Sequence, residues 1–149
     1  MMRIYGIYKV KKKHEHFILG REQLLYDLLK GNIEHEQNSK EVHYLCESIE
    51  QKVVEEIIVS KLSEVFETVK CDPNRYELTH TVKGTIIIDF SPYCLTVKCL
   101  GSRMLDLDLF ASLSEIDRYF FAVMETNKEW GWLKPVKFER QKLKKPLVF

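Results

Sequence analysis

The feature that most limits the possible folds is an uninterrupted apolar run followed by an alternating one. Residues 85–90 read Thr-Ile-Ile-Ile-Asp-Phe, a continuous apolar run that is typical of a central strand. Ser91-Pro92-Tyr93 then turns the chain. In 94–100 apolar and polar residues alternate, as they do in a strand with one buried face. The two runs predict an antiparallel hairpin inside a sheet, with its first strand lying within 76–90.

The remaining segments supply the other elements of an α+β domain. Apolar spacing and composition predict strands at 3–10 and 118–125 and helices at 23–30, 41–56 and 104–116. Residues 57–66 either extend the second helix or begin a third, although three consecutive β-branched residues weaken helix formation there. We therefore expect one domain over 1–149 with the order β-α-α-(α)-β-β-α-β, in which helices pack on a mainly antiparallel sheet.

Charge is distributed unevenly along the chain, although the net charge is only +1. Residues 1–21 and 133–149 each carry six Lys or Arg and one Glu, while 22–132 carry 11 basic and 20 acidic residues. The last part, at about 138–149, reads as a basic tail. We expect the strand at 3–10 to pair next to the strand at 118–125, which would bring the two basic ends to one side of the domain.

Targeting and membrane signals are missing from the sequence. No window approaches 18 uncharged apolar residues, as a membrane-spanning helix requires. The apolar run at the N-terminus is short and is followed by Lys9 and Lys11 to Lys13, unlike a signal peptide. We expect a cytoplasmic protein with no membrane partner.

The four cysteines form no Cys-x-x-Cys pair and are expected to be reduced and buried or half-buried; they are Cys46, Cys71, Cys94 and Cys99. Cys94 and Cys99 are five residues apart and should point to opposite faces of a strand, which argues against a shared metal. A thiol enzyme that uses a Cys–His pair remains an open alternative, although no family signature surrounds any of the cysteines.

Other candidate catalytic or metal-binding groups carry little support. His14 and His16 would share a face of a strand, but two ligands without a third do not make a metal site. Asp106 and Asp108 do not face each other on a helix, and we expect both to be solvated in its first turn. We therefore expect no enzyme activity, no metal, no cofactor and no small-molecule substrate.

The C-terminal part and the basic ends suggest binding functions. Residues 130–137 place two Trp and a Pro beside basic residues, and such a segment is either a small hydrophobic cluster that pins the C-terminus or a protein-binding surface. A small nucleic-acid-associated protein that uses the basic ends is a second alternative. Since the net charge is near zero and no nucleic-acid motif is visible, no direct DNA binding is expected.

Three motifs resemble the family of sporulation inhibitors of replication, SirA. They are Tyr5-x-x-Tyr8-x-Val10-Lys11, Gly20-Arg21-Glu22 at the start of a leucine-rich helix, and Gly131-Trp132-Leu133-x-Pro135-Val136-Lys137. Lys83-Gly84 at the start of the hairpin agrees as well. The resemblance covers about the first 30 and the last 20 residues, and the closing motif is its most specific part.

The resemblance implies an inhibitor that acts by contact and is not an enzyme. Its partner would be the N-terminal domain of the bacterial replication initiator DnaA. The implied contacts lie in the segment 14–18 and at Pro135, which we expect to share one exposed patch, while Trp132 beside Pro135 either joins the patch or holds the closing segment against the core. The candidate contact residues are His14, Glu15, Phe17, Ile18, Trp132 and Pro135. At His14, Glu15 and Ile18 the family pattern has aromatic and small residues instead.

Overall fold

An antiparallel sheet of eight strands forms the centre of the structure, a computed structural model that describes residues 2–30 and 40–134. In chain order the strands are β1 (Met2–Val10), β2 (Cys46–Glu47), β3 (Thr68–Asp72), β4 (Arg75–His80), β5 (Gly84–Phe90), β6 (Leu95–Gly101), β7 (Phe120–Met124) and β8 (Glu129–Trp132). Across the sheet they follow the order β3-β4-β5-β6-β1-β7-β8, and the short β2 also pairs with β1.

In the part of the chain that the structure describes, five helices pack on this sheet, which confirms the predicted α+β class. They are α1 (Glu15–Ile18), α2 (Glu22–Leu29), α3 (Lys40–Leu45), α4 (Gln51–Ile57) and α5 (Met104–Ser114). A 3-10 turn at Lys12–His14 precedes α1, and a π-helical turn at Ile58–Leu62 continues α4. The alternative in which 57–66 extends the preceding helix is therefore the correct one.

Strand β1 lies between β6 and β7 and is buried on both faces. Tyr5 and Ile7 face a core that is covered by α4, the π-helical turn and α5. Tyr8 and Val10 face a second core, which is covered by α1, α2 and α3. A strand that is apolar on both faces has little period-two contrast, which explains the loose alternation of this segment. Its pairing with β7 confirms the predicted neighbour relationship of the two strands.

The predicted hairpin is present as β5 and β6. The strand predicted within 76–90 is in fact two strands, β4 and β5, because the chain turns at 81–83. Ile86 and Ile88 are buried in the first core, whereas Ile87 on the other face stays partly exposed. β5 lies between β4 and β6, as expected of a central strand, but only one of its faces is covered, since the helices of the second core lie over β1 and β7 instead.

The helix predicted at 41–56 is interrupted because its apolar residues serve different faces of the sheet. Val42 and Leu45 on α3 belong to the second core, whereas Ile49 belongs to the first core. Between them the chain passes the end of β1, where Cys46 pairs with Val10. Tertiary pairing thus overrides a helical periodicity that was continuous in the sequence.

The start of α5 is locked to β1 by a buried ion pair. The Arg3 guanidinium donates two hydrogen bonds to Asp106, at 2.8 Å to Oδ2 and 2.7 Å to Oδ1, and the Tyr5 hydroxyl donates a third. Asp106 is only 2% exposed, so the expectation that it is solvated is wrong. Asp108, in contrast, is half-buried and pairs with Lys83 at 3.0 Å.

Candidate protein-binding site

The segment between β1 and α2 is a 3-10 turn followed by the single turn of α1. The backbone N–H of His14 donates to Lys11 O at 3.0 Å, and the N–H of Leu19 donates to Glu15 O at 2.9 Å. Ile18 points inward and is 1% exposed in the second core. The expectation that Ile18 lies on an exposed patch is therefore wrong, because its side chain fixes α1 to the sheet.

Phe17, next to Ile18, points outward. Its ring is 45% exposed, and the Arg21 guanidinium lies over it at 5.3 Å from the centroid. A cation over an aromatic face is held by the ring quadrupole, which orients both side chains at the surface. Two adjacent residues of α1 thus have opposite roles, one in the core and one at the surface.

Tyr44 on α3 joins this surface through His14. The two rings lie 4.7 Å apart between centroids, and His14 Nε2 is 2.8 Å from Tyr44 O. Tyr44 is 64% exposed, more than most large apolar side chains of the described residues. Sequence reasoning missed it, although a large aromatic between the buried Val42 and Leu45 is a visible signal, since it must face outward on that helix.

Trp132 is buried beneath the site and supports it. Its side chain is 3% exposed, and the rings of Tyr119 and Phe121 pack edge-on against it. The indole N–H donates to Glu22 Oε2 at 3.1 Å. The interpretation of the Trp segment as a hydrophobic cluster thus holds for Trp132, whose indole does not reach the surface. Pro135 and the tail at 138–149 lie outside the described residues.

Glu15 is engaged inside the protein as well. Its Oε2 accepts a hydrogen bond from the Tyr119 hydroxyl, which joins α1 to the start of β7. The Tyr119 hydroxyl holds the pKa of the Glu15 carboxyl below its usual range, and the charges of Lys12 and Arg118 act in the same direction. The structure thus links the segment 14–18 to Trp132 through Tyr119, which bonds to Glu15 and packs edge-on against the Trp132 ring.

Basic residues from both ends of the described chain lie where β1 and β8 end, at the same end of the sheet. Lys9 is paired with Phe120 across β1 and β7, and the N–H of Leu133 donates to Phe120 O at 3.0 Å. Lys134, the residue after Leu133, therefore lies at the end of the sheet where the Lys11–Lys13 run begins. Lys9, the Lys11–Lys13 run and Lys134 therefore lie near the same end of the sheet, whereas the predicted closeness of the two termini depends on residues 135–149, which lie outside the described residues.

Three of the four cysteines are buried, and their surroundings oppose nucleophilic chemistry. Burial raises the pKa of the Cys46 thiol to about 12 and that of Cys94 to about 11, and it raises the pKa of Cys99 also. These thiols stay protonated near neutral pH, whereas thiol catalysis requires the thiolate. Cys94 lies in the second core and Cys99 in the first, which confirms that they point to opposite faces. Cys71 is exposed on β3.

A search of residues 2–30 and 40–134 finds no cluster of three or more His, Cys, Asp or Glu side chains that could hold a metal ion. Within the same ranges, every helix is too short or too polar to cross a membrane.

The fold and this surface define an α+β domain with exposed aromatic side chains, the residues that are enriched where proteins bind one another. A family model described as "Sporulation inhibitor of replication protein SirA" matches residues 3–137, and the chain belongs to this family of regulatory proteins. The match confirms the resemblance seen at the two ends and extends it through the middle of the chain. A direct comparison with curated proteins finds no match.

Proposed function

We propose that this protein inhibits the initiation of DNA replication during sporulation by binding the N-terminal domain of the initiator DnaA. The inhibitory role in sporulation is that of the family, and the partner is our proposal. The proposed contact surface, called the aromatic surface below, consists of His14, Phe17 and Tyr44. Pro135 is added to it from the family resemblance alone.

The observation that carries the proposal is the exposure of two large aromatic side chains around one histidine. Phe17 lies one turn after His14, and the Tyr44 ring contacts the His14 ring at a tilt of 38°. Exposed aromatic groups of this kind are common at the centre of protein interfaces, where a few of them supply most of the binding free energy. In the free protein these two rings are surrounded by water, whereas a protein partner can cover them with apolar groups.

The surroundings of the aromatic surface favour binding without a large rearrangement. Ile18 is fixed in the core, and Glu15 and Glu22 bond to side chains of β7 and β8. A surface that is already ordered loses little conformational entropy when a partner binds. Inhibition then requires only that the bound domain covers a region of DnaA that initiation needs, over an interface of roughly 1,200–2,000 Å² in total.

The test is to measure binding of the DnaA N-terminal domain to single variants of the full chain by biolayer interferometry. Phe17→Ala and Tyr44→Ala are each expected to weaken binding at least about tenfold, as truncation of a central aromatic side chain commonly does. Pro135→Ala is expected to weaken it too. Val82→Ala is the matched control, since Val82 is also exposed but lies on the turn between β4 and β5. Wild-type affinity in both aromatic variants would overturn the proposed surface.

A further inference from the structure

The carboxylates beside the aromatic surface are occupied within the protein. Glu15 accepts a hydrogen bond from the Tyr119 hydroxyl. Glu22 accepts two hydrogen bonds at 3.1 Å, one from the indole N–H of Trp132 and one from the backbone N–H of Gly20. These two carboxylates keep their negative charge, but their hydrogen bonds direct them toward groups of this chain, namely Tyr119 just before β7 and Trp132 on β8.

The cations of the same region are used differently. Four of them are exposed, and none takes part in the ion pairs found within residues 2–30 and 40–134; they are Lys12, Lys13, Arg21 and Arg118. Arg21 lies over the ring of Phe17 and Arg118 over that of Tyr119, each at 5.3 Å. A guanidinium above a ring keeps its edge N–H groups available for a carboxylate.

These cations converge on one place although they come from separate parts of the chain. Lys12 and Arg118 both act on the carboxyl group of Glu15, which lowers its pKa together with the Tyr119 hydrogen bond. Arg21 touches Phe17, two residues after Glu15. Exposed Glu41 on α3 adds one negative charge against these positive ones. The aromatic surface therefore has a basic border.

We infer that this basic border, defined as Lys12, Lys13, Arg21 and Arg118, binds an acidic surface of the partner protein that carries several Asp and Glu carboxylates. The inference rests on the proposed function and adds the charge of the surface that is recognised. Charged groups at the edge of an interface mainly accelerate association and select partners of opposite sign. The border thus attracts the partner, and the aromatic surface holds it.

A protein partner is favoured over a nucleic acid by the surroundings of the two border arginines. Both arginines of the border cover an aromatic ring, so the faces of Phe17 and Tyr119 beneath them are not free for base stacking.

The experiment measures the association rate with the DnaA N-terminal domain at about 50 mM and about 500 mM NaCl, where the screening length falls severalfold. The border variant is Lys12→Glu/Arg21→Glu. The matched control is Lys52→Glu/Arg103→Glu, which makes the same charge change at exposed positions on α4 and before α5. Circular dichroism melts verify that both variants are folded.

We expect the association rate of the wild type to fall at least about tenfold at high salt, as in electrostatically steered binding. At low salt the association rate of the border variant should already be about tenfold below that of the wild type, and it should change little when salt is added. The association rate of the control should stay within about twofold of the wild-type rate. A wild-type rate independent of salt, or an equal loss in the control, overturns the inference but leaves the proposed function intact.

Two further outcomes count against the inference. If the wild type does not bind DnaA at all, the proposed function fails and the inference fails with it. A fluorescein-labelled single-stranded oligonucleotide forms the second arm. If the wild type binds it at about 150 mM NaCl and the border variant does not, the border is a nucleic-acid site and the inference is wrong.

Discussion

The indole N–H of Trp132 donates to Glu22 Oε2 at 3.1 Å, and this hydrogen bond ties the last strand of the sheet to the first turn of α2. Trp132 belongs to the closing Gly-Trp-Leu motif and Glu22 to the Gly-Arg-Glu motif. The two motifs that resemble the family from opposite ends of the chain therefore meet in space. They define a shared support beneath the aromatic surface, so a change in either one affects the geometry of that surface.

Removal of the Trp132 ring should destabilise the protein strongly. Trp132→Ala is expected to lower the free energy of unfolding by roughly 3–5 kcal/mol, because a fully buried aromatic side chain leaves a cavity. Trp130 is the natural comparison, since its ring stacks on Tyr26 but remains half-buried. Trp130→Ala should therefore cost less. Urea denaturation of both variants measures the difference, and equal losses would contradict the burial of Trp132.

Ile18 and Phe17 should respond in opposite ways to the same substitution. Ile18→Glu places a carboxylate in the second core and should lower the free energy of unfolding by several kcal/mol, about the cost of burying an unpaired charge. Phe17→Glu changes an exposed side chain and should leave stability within about 1 kcal/mol. Thermal melts separate the two variants. A well-folded Ile18→Glu protein would show that α1 does not pack as described.

The hydrogen bond between Tyr119 and Glu15 should make stability depend on acidic pH. Because the pKa of Glu15 is lowered in the folded protein, its contribution is present above the ordinary value of 4.5 and is lost as the pH falls through the folded value. Tyr119→Phe removes the donor. The melting temperature of this variant should lie below that of the wild type at pH 7, and the gap should narrow as the pH falls below 4.5. A gap that stays constant with pH would contradict the role of Glu15.

Loss of Arg3 should be more harmful than loss of the whole ion pair. Burial opposes ionisation of Asp106, but hydrogen bonds from Arg3 and Tyr5 outweigh it and hold the pKa of this carboxyl below its usual range. Arg3→Met leaves that carboxylate without its main partner and should cost about 3–5 kcal/mol. Arg3→Met/Asp106→Leu removes both charges and should recover part of this loss. A double variant less stable than Arg3→Met, measured in urea, would contradict the argument.

The elements with a regular local pattern could be predicted from the sequence. In these elements the spacing or composition of the residues matches the secondary structure that forms. They are β1, α2, the β5–β6 hairpin, α5 and β7. The helix expected at 41–56 failed for the opposite reason. Its apolar residues are regularly spaced but end on two different faces of the sheet, and the spacing alone carries no sign of that crossing.

The candidate site was harder to predict, since it depends on contacts between distant residues. Phe17 and Ile18 are adjacent apolar residues in a four-residue helix, which is too short for periodicity to assign a face. The burial of Asp106 depends on Arg3, which is 103 residues away in the chain. Tyr44 belongs to the site because its ring contacts that of His14, 30 residues earlier in the chain. The resemblance supplied the segment 14–18, and the structure divided it into exposed and buried residues.

The central position of β1 determines when this chain can complete its fold during synthesis. Tyr5 pairs with Val97 and Tyr8 with Phe121, so β1 must wait for strands that are synthesised about 90 to 110 residues later. Contacts of such high sequence separation form slowly, because a long loop has to close before they become favourable. Until β7 has left the ribosome, the unpaired edge of β1 and its apolar side chains are exposed to other chains, which makes the growing chain a substrate for chaperones.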